Sequence, residues 1–330
     1  MVNVGVIGLG RVVREFHIPS LLRIKEVKIK GICARAKTEE KLSLASDIGA
    51  SFYQDYGEMF ERENLNAVYV CSPTIFHKEM TITALKRGYH VFCEKPIAMN
   101  VDEAKAMCNK ARQNSRILFN GYNRRFSPTY QKVKKFSRQK RINIFLLEKI
   151  RGEFVNMDKA VYNRIIEKEI KLLGSEIMEF GVHFVDLAKW ICGKVTKTYF
   201  SSNKITGVPA CAGNGIAVFE HGEGQKSIMY FTLAGGKSSE RSVAIADDST
   251  CQTFGGMFGK SQVIITKGDR VEKFQSSDDT LVAGGFLQES RCFIDSVSGK
   301  KKPPYEPEDT IDTLRLSLEW AESYKVAQES

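Results

Sequence analysis

The chain has 330 residues, 42% of them hydrophobic and 27% charged, with only 8 prolines. That length exceeds an ordinary single domain, and the composition is that of a globular protein with a sizeable core rather than a disordered or fibrous one. No apolar run approaches the roughly 20 residues needed to span a bilayer, and the net charge of +10 comes without a recognisable nucleic-acid module.

The first segment, MVNVGVIG, enters a strand at once, so no signal peptide is expected. Strands are expected over 4–8, 27–33, 67–71, 89–93 and 117–120, with helices between them over 12–23, 39–47, 78–86 and 102–114. Short, continuously apolar strands separated by helices predict a parallel sheet covered on both faces. After residue 120 the pattern changes. Strand-like runs over 142–150, 215–219, 227–233, 242–246 and 262–266 follow one another through short turns, predicting a mostly antiparallel open sheet. Helices are expected over 175–191, 286–296 and 307–324. The reading is an α/β protein with a doubly wound Rossmann domain over 1–120 and a second α/β domain over 121–330.

Eight cysteines, at 33, 71, 93, 108, 192, 211, 251 and 292, show no CxxC and no paired spacing. They point to a reducing cytoplasm and to no metal site. The densest basic run, KVKKFSRQKR over 132–141, has one aromatic residue, Phe136, and reads as the solvated face of a helix rather than a nucleic-acid surface. The segment 152–175 is expected to cover a cleft, with Tyr162 and Arg164 as candidate substrate contacts or as parts of an ordinary surface insertion.

The first expected strand ends in Gly8-Leu9-Gly10-Arg11-Val12-Val13 and opens into a helix. Glycines there allow a tight turn and close approach of a pyrophosphate, and the helix N-terminus offers free N–H groups to it. A dinucleotide site follows, with Val13 in place of the usual third glycine. The second strand ends in Cys33-Ala34-Arg35-Ala36-Lys37, where an acid would hold the 2′-hydroxyl of NAD. Arg35 and Lys37 suit a 2′-phosphate instead, so NADP is favoured and NAD remains an alternative.

Two other places carry chemistry. HVFCEKPIAM, over 90–99, runs a buried strand into Glu94-Lys95-Pro96. The lysine then stands at the carboxyl end of a parallel strand, where ligands of such sheets bind. Further on, Glu179, His183 and Asp186 are four and three apart, on one face of an expected helix among apolar neighbours. Buried charged groups need partners or a purpose. Asp186 reads as a structural hydrogen-bonder.

These residues resemble the glucose–fructose oxidoreductase, inositol dehydrogenase and rhizopine-catabolism (Gfo/Idh/MocA) family over nearly the whole chain. Four segments carry the resemblance in order: VGVIGLGRVVREFHIPSL (4–21), AVYVCSPTIFHKEMTITALKRGYHVFCEKPIA (67–98), FNGYNRRFSP (119–128) and EIMEFGVHFVDLAKWICG (176–193). The resemblance implies NAD(P)-dependent oxidation or reduction of sugars, polyols and related carbinols, and homodimers or homotetramers formed through the second domain's sheet. It implies that Lys95 of the E-K-P motif contacts the reacting hydroxyl, and that Asn123 and Arg124 line the substrate. Ser72, Pro73 and His77 then fall on the cofactor side. The family's D-x-G-x-H-x-x-D motif maps onto Glu179, Gly181, His183 and Asp186, with glutamate replacing the first aspartate.

Lys95 is thus the expected proton-transfer group, with His183, reaching from the second domain, to hold or relay the proton. Glu179 would orient that imidazole or accept a substrate hydroxyl. Glu94 is expected to position the turn or touch the cofactor. A protein that keeps this pocket but only senses NADP is the alternative reading.

Overall fold

The computed structural model describes residues 1–151, 177–204, 213–233, 238–255 and 259–329. The chain forms two compact units, Met1–Tyr122 with Phe286–Leu314, and Asn123–Gly285 with Arg315–Ser330.

The first unit is built on six parallel strands: β1 (Val2–Ile7), β2 (Val27–Cys33), β3 (Ser51–Tyr53), β4 (Ala67–Val70), β5 (His90–Cys93) and β6 (Leu118–Asn120), in the order β3-β2-β1-β4-β5-β6. All four residues of β4 are fully buried, as a strand covered by helices on both faces requires. Asp55 and Asn100 cap the helices Tyr56–Arg62 and Val101–Gln113, their side-chain oxygens accepting from the N–H groups of Glu58 and Glu103. The sequence reading missed β3 and the helix Tyr56–Arg62, since three strand residues are too few to show a period. The helix expected over 12–23 is instead a π-turn, Val13–His17, continued by an α-helix, Ile18–Leu22.

The first unit also takes in residues 286–314, which the sequence reading had assigned to the second domain. The reason is aromatic packing. Phe286 stacks on Phe16 at 4.6 Å between centroids, Phe293 meets Tyr69, Phe92 and Phe119 at 5.5–5.7 Å, and Tyr305 packs on Phe119 and donates to the Asn120 carbonyl. Each such ring pair adds roughly 0.5–1.5 kcal/mol beyond the area it buries.

The second unit holds eight strands: β7 (Ile144–Ile150), β8 (Val195–Lys204), β9 (Gly213–His221), β10 (Lys226–Thr232), β11 (Ser239–Ile245), β12 (Ser249–Phe254), β13 (Gln262–Lys267) and β14 (Arg270–Gln275). Their order is β14-β13-β12-β11-β7-β10-β9-β8, antiparallel except where β7 meets β10. β8, β12 and β14 escaped the sequence reading. The last, RVEKFQ, is an edge strand exposed along almost its whole length, so it shows no apolar alternation.

The basic run lies on the helix Pro128–Gln139 and is not all solvated face. Lys132 sits over the Phe274 ring at 4.8 Å, and half-buried Lys134 sits over Trp190 at 5.4 Å while donating to that residue's carbonyl. Lysine stems cover apolar surface in this way.

Deeper in the same unit, Asp186 receives two bonds from Arg125, Nε to Oδ2 at 2.7 Å and the terminal nitrogen to Oδ1 at 2.5 Å, with Asp186 1% exposed. The pair ties the short 3₁₀ turn Asn123–Phe126 to the helix Val182–Cys192. Removing one partner of a buried pair leaves the other charge uncompensated. Asp186→Asn should therefore lower the unfolding free energy by about 3 kcal/mol, read from urea denaturation of the full chain.

Candidate active site

In the first unit the strand order reverses between β1 and β4, and ligands of doubly wound sheets bind at that switch point, outside the carboxyl ends of the strands. Gly8 stands there with φ 93°, its N–H donating to the Cys33 carbonyl at 2.9 Å. A Cβ at Gly8 would collide with the carbonyl of Cys71 and lie 2.8 Å from the Ser72 nitrogen, so no larger residue fits. Gly10 differs: a Cβ there would meet nothing within 4 Å and would project into open space. Leu9 is buried and anchors the turn, Arg11 is exposed and Val12 half-buried, and the helical stretch begins at Arg11. A tight turn, an open face at Gly10 and a helix N-terminus together fit a dinucleotide pyrophosphate.

At the end of β2, Arg35 and Lys37 are exposed, and the Arg35 guanidinium lies 5.3 Å from the centre of the Phe76 ring. Glu40, in the first turn of the next helix, is paired with Arg14. The loop therefore presents cations where an acid would otherwise hold a ribose.

Beyond β4, Ser72 is half-buried, Pro73 exposed and His77 1% exposed. The His77 ring faces two carbonyls, Nε2 to that of Ser72 at 2.8 Å and Nδ1 to that of Pro96 at 3.0 Å. Burial lowers the pKa of this imidazole, and a neutral ring donates through one nitrogen at a time. His77 thus stands between the loop after β4 and the turn after β5 and bonds one of their carbonyls at a time.

That second turn holds Glu94 and Lys95, both half-buried, with a cis bond between Lys95 and Pro96. Glu94 Oε1 lies 2.6 Å from His17 Nε2, and its Oε2 accepts the Lys95 backbone N–H at 2.9 Å. Burial works to raise the Glu94 carboxyl, but the bond and charge of His17, with Lys95 beside it, outweigh burial and hold it below the usual carboxylate range. Cys33, Cys71 and Cys93 stand at the ends of β2, β4 and β5, and burial raises all three thiols, Cys33 to about 12, so none is a ready nucleophile.

In the second unit, Glu179 lies in a π-turn, Ile177–Gly181, and His183 in the first turn of the helix that follows. The regular α-helix expected across both is therefore widened at its start, a distortion frequent at functional sites. Glu179 is half-buried and His183 is 5% exposed. A Cβ on Gly181 would stand 2.9 Å from Ile177 Cγ2 and 3.2 Å from the Trp320 ring. Asn123 donates to the Gly284 carbonyl at 2.7 Å. Arg124, 4% exposed, lies 2.9 Å from Glu240 and over the Phe184 ring at 5.2 Å. Tyr162 and Arg164 lie outside the described residues.

The sequence reading missed three groups. Glu240, 4% exposed, is shared by Arg124, Lys149 at 3.3 Å and the Tyr130 hydroxyl at 3.1 Å. Glu240 and Lys149 are register partners on β11 and β7, a pairing that no single strand's sequence displays. The third is His17, fully buried on the π-turn after the glycine-rich loop. Among the described residues no group of three or more His, Cys, Asp or Glu side chains could hold a metal ion, and no helix is long and apolar enough to cross a membrane.

Residues 2–122 match the model of an oxidoreductase family with an NAD-binding Rossmann fold, Gfo/Idh/MocA. The chain is 24% identical to a myo-inositol 2-dehydrogenase of Thermotoga maritima, over 99% of each chain. It is 29% identical to the uncharacterized oxidoreductase YrbE of Bacillus subtilis over 59% of this chain, spanning about half (55%) of that relative's length. An oxidoreductase from Agrobacterium radiobacter, solved with NAD+, L-tartaric acid and magnesium, shares the fold with a TM-score of 0.84 at 17% identity, covering 98% of this chain and 96% of that one. Sequence, fold and these likenesses agree on the first unit: residues 2–122 carry the NAD-binding Rossmann domain of the Gfo/Idh/MocA oxidoreductase family.

Proposed function

We propose that the protein is an NADP-preferring dehydrogenase or reductase acting on a carbinol or carbonyl carbon of a sugar, polyol or related small molecule. The observation that carries this reading is Lys95, half-buried at the carboxyl end of β5 in the glycine-turn sheet, with its backbone held by Glu94. The backbone of Gly8, Leu9, Gly10, Arg11 and Val12 holds the pyrophosphate, and Arg35 with Lys37 pairs with the 2′-phosphate. Ser72, Pro73 and Glu94 border the rest of the cofactor, and His77 keeps their two turns in place. Bound there, the nicotinamide ring supplies a hydride acceptor for oxidation or a donor for reduction.

Lys95, as the free amine, takes the proton from the substrate hydroxyl in oxidation and returns it in reduction. His183 holds or relays that proton, and Glu179 orients the imidazole or accepts a substrate hydroxyl. Asn123, Arg124 and Tyr162 serve the substrate, the first two through the bonds that fix their own loop. The location proposed is the cytoplasm, in keeping with seven described cysteines that are all free thiols. A homodimer or homotetramer through the eight-stranded sheet is supported by register: Tyr199, Ile216, Phe254 and Val271, each exposed, fall on one face, opposite to the face of Lys149 and Glu240.

A screen of sugars, polyols, sugar acids and aldehydes with both cofactors, followed by NAD(P)H absorbance, tests the reaction; binding of NADP(H) without turnover in any class would overturn it. With the substrate so found, Lys95→Ala should lower kcat at least about 100-fold, the scale of a lost acid–base group, with NADPH affinity unchanged within about threefold. Retention of near wild-type turnover would remove Lys95 from the mechanism. The kcat/KM with NADPH should exceed that with NADH, and Arg35→Ala should cost about tenfold with NADPH, the value of one charge-assisted bond, while leaving NADH unaffected.

A further inference from the structure

His17 is a buried titratable group that the mechanism above does not use. It is 0% exposed, and its ring is boxed edge-on by Tyr69, Phe92 and Phe286 at 5.2–5.7 Å. A phenylalanine or leucine would satisfy such a box. An imidazole there costs desolvation, and its Nδ1 finds no hydrogen-bond partner among the described residues. The compensating contact is the 2.6 Å bond to Glu94. A carboxylate only accepts, so Nε2–H of His17 donates to it.

Glu94 is equally constrained. Its second oxygen takes the Lys95 N–H, and a Cβ at Gly121 would press on it, 3.1 Å from Glu94 Oε1. The titratable groups facing this carboxylate are His17, Lys95, His77, Cys71 and Cys93. Of these, His17 through its side chain and Lys95 through its backbone bond it directly.

We propose that His17 is a positioning residue for Lys95: it fixes the Glu94 carboxylate, whose other oxygen fixes the lysine's backbone, so that the helix following the glycine-rich turn sets where the lysine stands. The inference rests on the reading of Lys95 as the proton-transfer group. The π-turn Val13–His17 has a role in it, because the altered helical phase carries His17 towards β5 while the same helix begins at the cofactor turn. The strut therefore links the cofactor turn and the lysine within one unit.

The test needs no substrate. Full-length wild-type protein and the variants H17F, H17Q, H17N and E94Q are trace-acetylated at one pH, and mass spectrometry reads the Lys95 peptide against exposed lysines such as Lys25. Melting temperature verifies the fold of each variant, and NADPH binding verifies it further for the His17 variants. Without its imidazole donor the Glu94 carboxylate loses its anchor, and the Lys95 corner that it holds is released. H17F and E94Q should then label Lys95 at least about threefold faster than wild type, the scale of one lost hydrogen bond. H17Q, whose amide N–H can still donate, should restore the wild-type rate. H17N is too short to reach Glu94 and should behave as H17F does, so it decides the question should H17F fail to fold. Wild-type labelling of Lys95 in folded H17F or H17N would overturn the proposal, as would a failure of H17Q to differ from them. Absence of turnover in the substrate screen would count against the proposed reaction alone, since labelling reports on the strut directly.

Discussion

The contact between Gly8 and the end of β4 governs the first unit. Two parallel strands whose connections depart to opposite sides of the sheet leave a crevice between their carboxyl ends, and only a residue without a side chain lets β1 turn away there. With Gly8 pressed against the Cys71 carbonyl, the loop 71–77 has one place to run. His77 at its end then lies between the Ser72 and Pro96 carbonyls, so the turn after β5 stands at the same rim. The cofactor turn, the cation-bearing end of β2 and the Glu94–Lys95 corner are brought to one edge by backbone geometry before any charge is considered.

Charge refines what the backbone places. Three buried or half-buried carboxylates each have donors from a distant stretch of chain: Glu94 has His17, Asp186 has Arg125, and Glu240 has Arg124, Lys149 and Tyr130. A buried carboxylate is tolerable only when so held. The shared consequence is local rigidity. Glu94 pins the lysine's backbone, and Asp186 and Glu240 pin the turn that carries Asn123, Arg124 and Arg125. Lys95, Asn123 and Arg124, proposed for proton transfer and substrate, stand on segments held by these bonds, which lowers the cost of organising a site.

Much of this was legible in the residues. Continuous apolar runs separated by amphipathic stretches marked five of the six parallel strands, and G-L-G at the end of the first marked the tight turn at the switch point. The motif E-K-P marked the lysine corner, and the role suggested for Asp186 as a structural hydrogen-bonder agrees with its two bonds from Arg125. What escaped were elements without a period. β3 is too short, β14 is too exposed, and the aromatic residues of 286–314 gave no sign of which unit they would join.

The sequence by itself determined the class of fold and the location of the two motifs, because apolar periodicity and glycine spacing act within a few residues of one another. Only the tertiary structure decided which group each charge would meet. His17 and Glu94 are 77 residues apart, Arg125 and Asp186 61 apart, and Tyr130 and Glu240 110 apart. Pairings over such separations depend on strand order, register and the phase of a π-turn. None of these is encoded by local propensity; each is settled when the sheets assemble and the buried carboxylates take the donors that arrive beside them.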